Sequence, residues 1–310
     1  MRATESSTAT VKFMSGILLA THGASSADGA AQIAALLATR RRTPLQTVCV
    51  VEPPRNVDVG FAPIYVPTLE EVEAVQSSFS KRVSEQMRRY GVSGAPQMRS
   101  GPPAAEIAAA ATEMNAELIV LGLGQHGIVE RALGNETALQ LVQIANVPVL
   151  AVPSEMVSLP RRVLAATDFA PTSIASIKAT TQWLTKGDTL HIVYVAGEWH
   201  GGYPLEQRVG AESLLAALAG RLELPTGVVL ELSVVEGEPS KRILQLATTT
   251  LADMIVLGSH GYGFWKRLTI GSVASKIIRL THLAVYVTPL ACMGEEDVDS
   301  PAVSASVSQG

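Results

Sequence analysis

GPPAAEIAAAATEMNAELIVLGLG at residues 101–124 and GEPSKRILQLATTTLADMIVLGSH at residues 237–260 are one motif written twice. The match runs without a gap from residues 101–153 onto residues 237–289. It sets Pro103 on Pro239, Ile107 on Ile243, Ala116 on Ala252 and Arg131 on Arg267. Upstream, ILLATH at residues 17–22 parallels VLAATD at 163–168, and TVCVVE at 47–52 parallels TLHIVYV at 189–195. A repeat of this length marks a duplicated domain and governs how every single residue is interpreted. In each copy short apolar runs such as Ile255, Val256 and Leu257 alternate with helical spacing such as Ala274, Ile277 and Ile278. Continuously apolar strands separated by helices form a parallel sheet covered on both faces. The expected fold is therefore α/β, two tandem doubly wound domains of five parallel strands each. The strands are expected at 17–21, 47–51, 95–98, 118–121 and 147–152, then at 163–167, 190–195, 229–234, 254–257 and 284–288. Such sheets take ligands beyond the carboxyl ends of their strands, where the strand order reverses.

Composition agrees with two globular units. The 310 residues exceed one ordinary domain of roughly 100 to 200 residues. With 47% hydrophobic and 17% charged residues the chain is too apolar for disorder. A net charge of −4 supplies no basic face for nucleic acid. Cys49 and Cys292 do not suggest a disulfide framework. The first fifteen residues are polar, the apolar stretch 16–20 is too short for a signal core, and no window nears the ~18 apolar residues of a membrane helix. These features lead us to expect a cytoplasmic protein. Arg40, Arg41 and Arg42 close an Ala/Leu-rich helical segment, where cations suit the negative helix end. The expected domains are residues 14–153 and 160–290, joined by a linker so short that they should pack together. Residues 52–69, with Pro53, Pro54, Pro63 and Pro67, should form a surface loop, and residues 294–310 a disordered tail.

The second copy carries a chemical signature. Gly258, Ser259, His260 and Gly261 follow its fourth strand; nine residues later Gly271, Ser272 and Val273 open the last helix. Glycines let a backbone approach phosphate without interference from a Cβ, and a helix N-terminus offers unpaired N–H donors. Taken singly, the first glycines could be a tight turn and Ser272 an N-cap. Together the pattern resembles the universal stress protein family, whose ATP-binding members carry Gly-x-x-Gly, nine residues, then Gly-Ser or Gly-Thr. The second copy also has Ala166, Thr167, Asp168 and Phe169 where that family has an Asp near the adenosine. The resemblance implies that Asp168 bonds the nucleoside and that the backbone around Val195 meets adenine. It also implies that Gly258, Gly261, Gly271 and Ser272 hold the phosphates of ATP, with Mg²⁺. Ala166, Thr167, Leu257, Ser259, His260 and Val273 complete the expected contact set.

The first copy departs at these positions: Gly261 becomes Gln125, Gly271 becomes Asn135, Ser272 becomes Glu136 and Asp168 becomes His22. A carboxylate repels phosphate, so the first site should be degenerate; a one-residue gap would let Gly134 and Asn135 stand in for Gly-Ser. GLGQHG at residues 122–127 spells a dinucleotide fingerprint but lacks the acidic residue about 20 positions on. No G-x-x-x-x-G-K-[ST] loop is present, the histidines show no metal spacing, and Phe264 and Trp265 suit helix packing. His260 has no obvious acid–base partner. The resulting expectation is a non-enzymatic ATP-binding stress-response sensor or binding module. In the family two such domains often pair through their last strands, implying an intramolecular pseudo-dimer. A homodimer and an unknown protein partner stay open, and no nucleic acid or membrane is expected. The alternatives are a slow ATP hydrolase, with His260 or Asp168 placing water or metal, and a nucleotide-free interaction scaffold.

Overall fold

All ten apolar runs form strands, and a helix follows most of them. In the computed structural model the described residues are 15–52, 68–124, 128–197, 204–259 and 271–293. The expected tail, most of the expected proline-rich loop, and His260, Gly261, Phe264 and Trp265 lie outside them. The first half holds β1 (Gly16–Ala20), β2 (Leu45–Val51), β3 (Gln97–Ser100), β4 (Ala116–Leu123) and β5 (Val149–Pro153). Its helices are α1 (Asp28–Arg41), α2 (Leu69–Arg89), α3 (Pro103–Glu113) and α4 (Ile128–Ile144). The second half holds β6 (Arg162–Thr167), β7 (Thr189–Ala196), β8 (Val229–Glu236), β9 (Met254–Gly258) and β10 (Ala284–Thr288). Its helices are α5 (Pro171–Thr181), α6 (Leu205–Ala219), α7 (Pro239–Thr249) and α8 (Ser272–Leu280).

The repeated Gly-x-Pro explains one pair of turns. Gly101 and Gly237 have φ of 149° and 131°, in the region that favours glycine, and Pro103 and Pro239 open α3 and α7. Strands run in the order β3-β2-β1-β4-β5-β10-β9-β6-β7-β8, so each half repeats 3-2-1-4-5. All pairs are parallel except β5 with β10, where Val285, Tyr286 and Val287 face Ala151, Leu150 and Val149. The two halves thus share one ten-stranded sheet.

Apolar side chains on both faces make two large cores, beside a smaller cluster under α2. One packs α3, α4, α7 and α8 on residues such as Leu18, Ile119, Leu164 and Ile255. The other packs α1, α5 and α6 on residues such as Ile17, Val120, Val163 and Tyr286. Each core contains residues of both halves. The sheet register corrects one feature of the repeat: Ile17 pairs with Leu45 and Val163 with Leu190, so Leu45 corresponds to Leu190, and Thr47 to Ile192 instead of Thr189. Tyr194 therefore corresponds to Cys49. The third strand begins two residues later than expected, at Gln97.

Candidate functional site

In the second half β6 and β9 are neighbours, and the helices after them leave toward opposite faces. Their pairing runs from Val163↔Met254 to Ala165↔Val256. Beyond it Ala166, Thr167, Leu257 and Gly258 flank the crevice where a doubly wound sheet accepts a ligand. Asp168 is exposed at the rim. Its Oδ1 accepts the Ala170 N–H at 3.0 Å and the Ser173 hydroxyl at 2.9 Å, which ties the start of α5 to the strand end. Thr167 Oγ1 accepts the Phe169 N–H at 2.9 Å. Val195, on β7, is partly exposed beside this turn.

The other wall is built by main chain. Ser259 is fully buried, donates its N–H to Thr288 O at 3.1 Å, and accepts the Gly271 N–H at 2.7 Å. That last bond joins the two segments on which the expected phosphate site depends. Gly271, not Ser272, is the N-cap of α8, and no side chain caps that end. Ser272 is the first helical residue and is exposed, so its expected capping role is replaced by one in the open first turn. The N–H groups of Ser272 and Val273 have no partner within the helix, and the positive end of the helix dipole lies there. Gly258 serves packing: a Cβ would lie 2.5 Å from Thr172 Oγ1 and 2.6 Å from Ser173 N. Gly122, its counterpart in the first half, is crowded in the same way by Ala27 and Ser26.

The first half is built differently at each of these points. Helix α4 begins at Ile128, so Asn135 and Glu136 lie inside a helix where the second half has the N-terminus of α8. Backbone N–H groups there are engaged by the helix itself. Glu136 Oε1 meets Arg279 of α8 at 2.9 Å. Near His22 a buried Gln86 accepts the Thr21 hydroxyl at 2.7 Å and donates to Asp28 Oδ1 at 2.7 Å, fastening α2 over the end of β1.

Two residues without an expected role stand at neighbouring turns. Phe169 has φ 63°, and its ring centroid lies 5.1 Å from that of Tyr194, tilted by 33°. The signal available in sequence was the repeat, which sets Phe169 on Gly23. Glu238, at the start of α7, accepts the Lys241 N–H at 2.8 Å and meets Lys276 of α8 at 3.2 Å. The Lys241 N–H, the Ser240 hydroxyl and the Lys276 ammonium pull its carboxyl down to about 2.

Two cavities lie elsewhere. One of about 250 Å³, at the amino ends of β6 and β7, is lined by Arg162, Thr189, His191, Glu231 and Thr250. Burial pushes the His191 imidazole down there, against the pull of Glu231. The other, about 300 Å³, lies beside the linker, near Met156, Asp253 and His282. Neither includes an expected site residue, and residues 260–270, which connect the two segments of the crevice, are outside the described set.

The fold and crevice define a duplicated doubly wound α/β protein whose halves differ at the strand ends. Residues 14–153 and 160–289 each match the universal stress protein family, and the chain belongs to that family as a tandem member. Similar full-length relatives are the universal stress proteins Rv1996 and Rv2005c of Mycobacterium tuberculosis. The first is 27% identical over 307 residues, covering 88% of this chain and 94% of its own. The second is 26% identical over 296 residues, covering 88% and 96%. Among solved structures, a universal stress protein from Archaeoglobus fulgidus superposes with a TM-score of 0.62 at 19% identity, covering 92% of this chain and 98% of its own. Among the described residues no helix is long and apolar enough to cross a membrane.

Proposed function

We propose that this tandem universal stress protein binds one ATP, carried with Mg²⁺, in its second half. It would act in the cytoplasm as a stress-response sensor or binding module without turnover. The observation that supports this most is the 2.7 Å bond from the Gly271 N–H to Ser259 O, which brings the strand end of β9 against the open N-terminus of α8. The Ser272 and Val273 amides, the Ser272 hydroxyl and the helix dipole together suit a polyphosphate. Asp168, exposed at the rim, would offer its carboxylate to a ribose hydroxyl. Among the described residues no three His, Cys, Asp or Glu side chains form a metal site, so the phosphates would bring the Mg²⁺. The continuous helix α4 supports a first half without nucleotide. Cys49 and Cys292 are free thiols, as a reducing compartment favours.

Calorimetric titration with MgATP tests this reading, and native mass spectrometry gives the stoichiometry. One bound nucleotide per chain, lost in Gly271→Glu, is the expected result. Absence of binding heat, or unchanged binding in that variant, overturns the assignment.

A further inference from the structure

Near the amino ends of β7 and β8, at the opposite end of the sheet from the crevice, His191 and Glu231 are register partners in the parallel ladder. The His191 side chain is 11% exposed, and its two nitrogens have different surroundings. Nε2 lies 2.7 Å from the Ser233 hydroxyl, which fixes the ring. Nδ1 is buried and, among the described residues, has no hydrogen-bond partner. It faces Glu231 Oε2 at 3.6 Å, beyond hydrogen-bond range. As an N–H it would lack an acceptor, and as a lone pair it would face a carboxylate with no proton to give. Burial favours the neutral imidazole, against the pull of Glu231. His191 and Glu231 both line the cavity of about 250 Å³ described above, to which Thr189 and Thr250 also contribute. Arg162 lines it too, but it is exposed and stands on β6, with β7 between it and Glu231. The first half has no such pair. Its register sets Gln46 on His191 and Gln97 on Ser233, so Ala95 stands where Glu231 does.

We propose that His191 Nδ1 and the Glu231 carboxylate bind a Zn²⁺ ion, with water in its remaining positions. Imidazole nitrogen and carboxylate oxygen are donors that zinc takes, and two donors on one tetrahedral ion stand roughly 3.3 to 3.6 Å apart. The 3.6 Å between these two atoms lies at the wide end of that range. The Ser233 hydroxyl on the other ring nitrogen is the outer contact that orients a ligating imidazole. Among the described residues no third His, Cys, Asp or Glu joins the pair, so the ion exchanges with solvent and is not locked into the fold. Sequence spacing could not show the pair, because its members meet only through the β7–β8 ladder. The site does not depend on the nucleotide reading.

The test uses the full chain, freed of chelators and purification tags, titrated calorimetrically with ZnCl₂ in the absence of nucleotide. Co²⁺ replaces Zn²⁺ for visible spectroscopy. Wild type should bind one ion more than His191→Gln, which installs the first half's residue, and one more than Glu231→Gln. With Co²⁺ it should show the intense absorption of a tetrahedral ion, absent from both variants. Ser233→Ala should keep the site with about tenfold weaker affinity, since it removes only the orienting contact. Zinc held by histidines elsewhere would persist in the glutamine variants, so equal stoichiometry and affinity in wild type and Glu231→Gln overturns the site. Glu231 is half exposed, so that variant decides the matter even if His191→Gln fails to fold. A wild type that binds no zinc, or whose Co²⁺ complex lacks tetrahedral absorption, overturns it as well.

Discussion

Gly258 answers to a packing demand as well as to its place in the loop spacing. Its place in the loop spacing suggests phosphate, but its missing Cβ is demanded by the start of α5, where main-chain atoms of Ser173 cannot easily give way. Gly258→Ala should therefore lower stability by about 1 to 3 kcal/mol through overpacking, measured by chemical denaturation without nucleotide. Gly122→Ala should cost less, since its nearest neighbours would stand at 3.1 Å and not 2.5 Å. A purely phosphate-binding glycine would leave nucleotide-free stability unchanged in Gly258→Ala. The repeat already held this distinction: Gly122 is kept in the half where Gly271 and Ser272 become Asn135 and Glu136. What sequence could not reveal was the contact itself, because Thr172 and Ser173 lie far upstream and reach Gly258 only through the sheet. Phe169 was hidden likewise, since its left-handed backbone emerges only with the turn that Thr167 and Asp168 hold.

At the scale of elements, the ten strands were legible because most are apolar runs whose side chains pack on both faces of the sheet; their starts were less so, β2 and β4 beginning two residues earlier than expected and β3 and β5 two residues later. Helix ends were less legible. Two substitutions in the first half could be seen to spoil a phosphate site, but their incorporation into a longer α4 depends on residues with no sequence signal for helix onset. Helix α7 permits a test of an end that the structure does specify. The Glu238 carboxyl is lowered from its ordinary 4.5 to about 2, with the Lys241 N–H as the largest cause. A depressed carboxyl stabilises the fold fully above its unfolded value and loses that contribution as pH falls toward the folded value. Glu238→Gln should therefore melt below wild type near pH 7, and the difference should fade as pH drops from about 5 to about 2. A difference in melting temperature that stays constant across that range would show that the charge is not what caps α7.

The two halves are held as one molecule by the seam between β5 and β10, and an ion pair that spans them, between Glu136 and Arg279, contributes little. Glu136 and Arg279 remain 47% and 55% exposed, and exposed pairs of this kind contribute roughly 0 to 1 kcal/mol. Tyr286, by contrast, is 2% exposed, sits opposite Leu150 across the seam, and meets the Trp183 ring edge-on at 5.0 Å. Deleting a buried aromatic side chain costs about 3 to 5 kcal/mol, so Tyr286→Ala should be severe where Glu136→Gln is close to silent. Because both cores contain residues of both halves, the loss should reach the whole chain. Hydrogen exchange offers the decisive measurement: amides of β1 and β6, in different halves, should lose protection together in Tyr286→Ala. If β6 opens while β1 stays protected, the halves are independent folding units and the shared cores do not couple them.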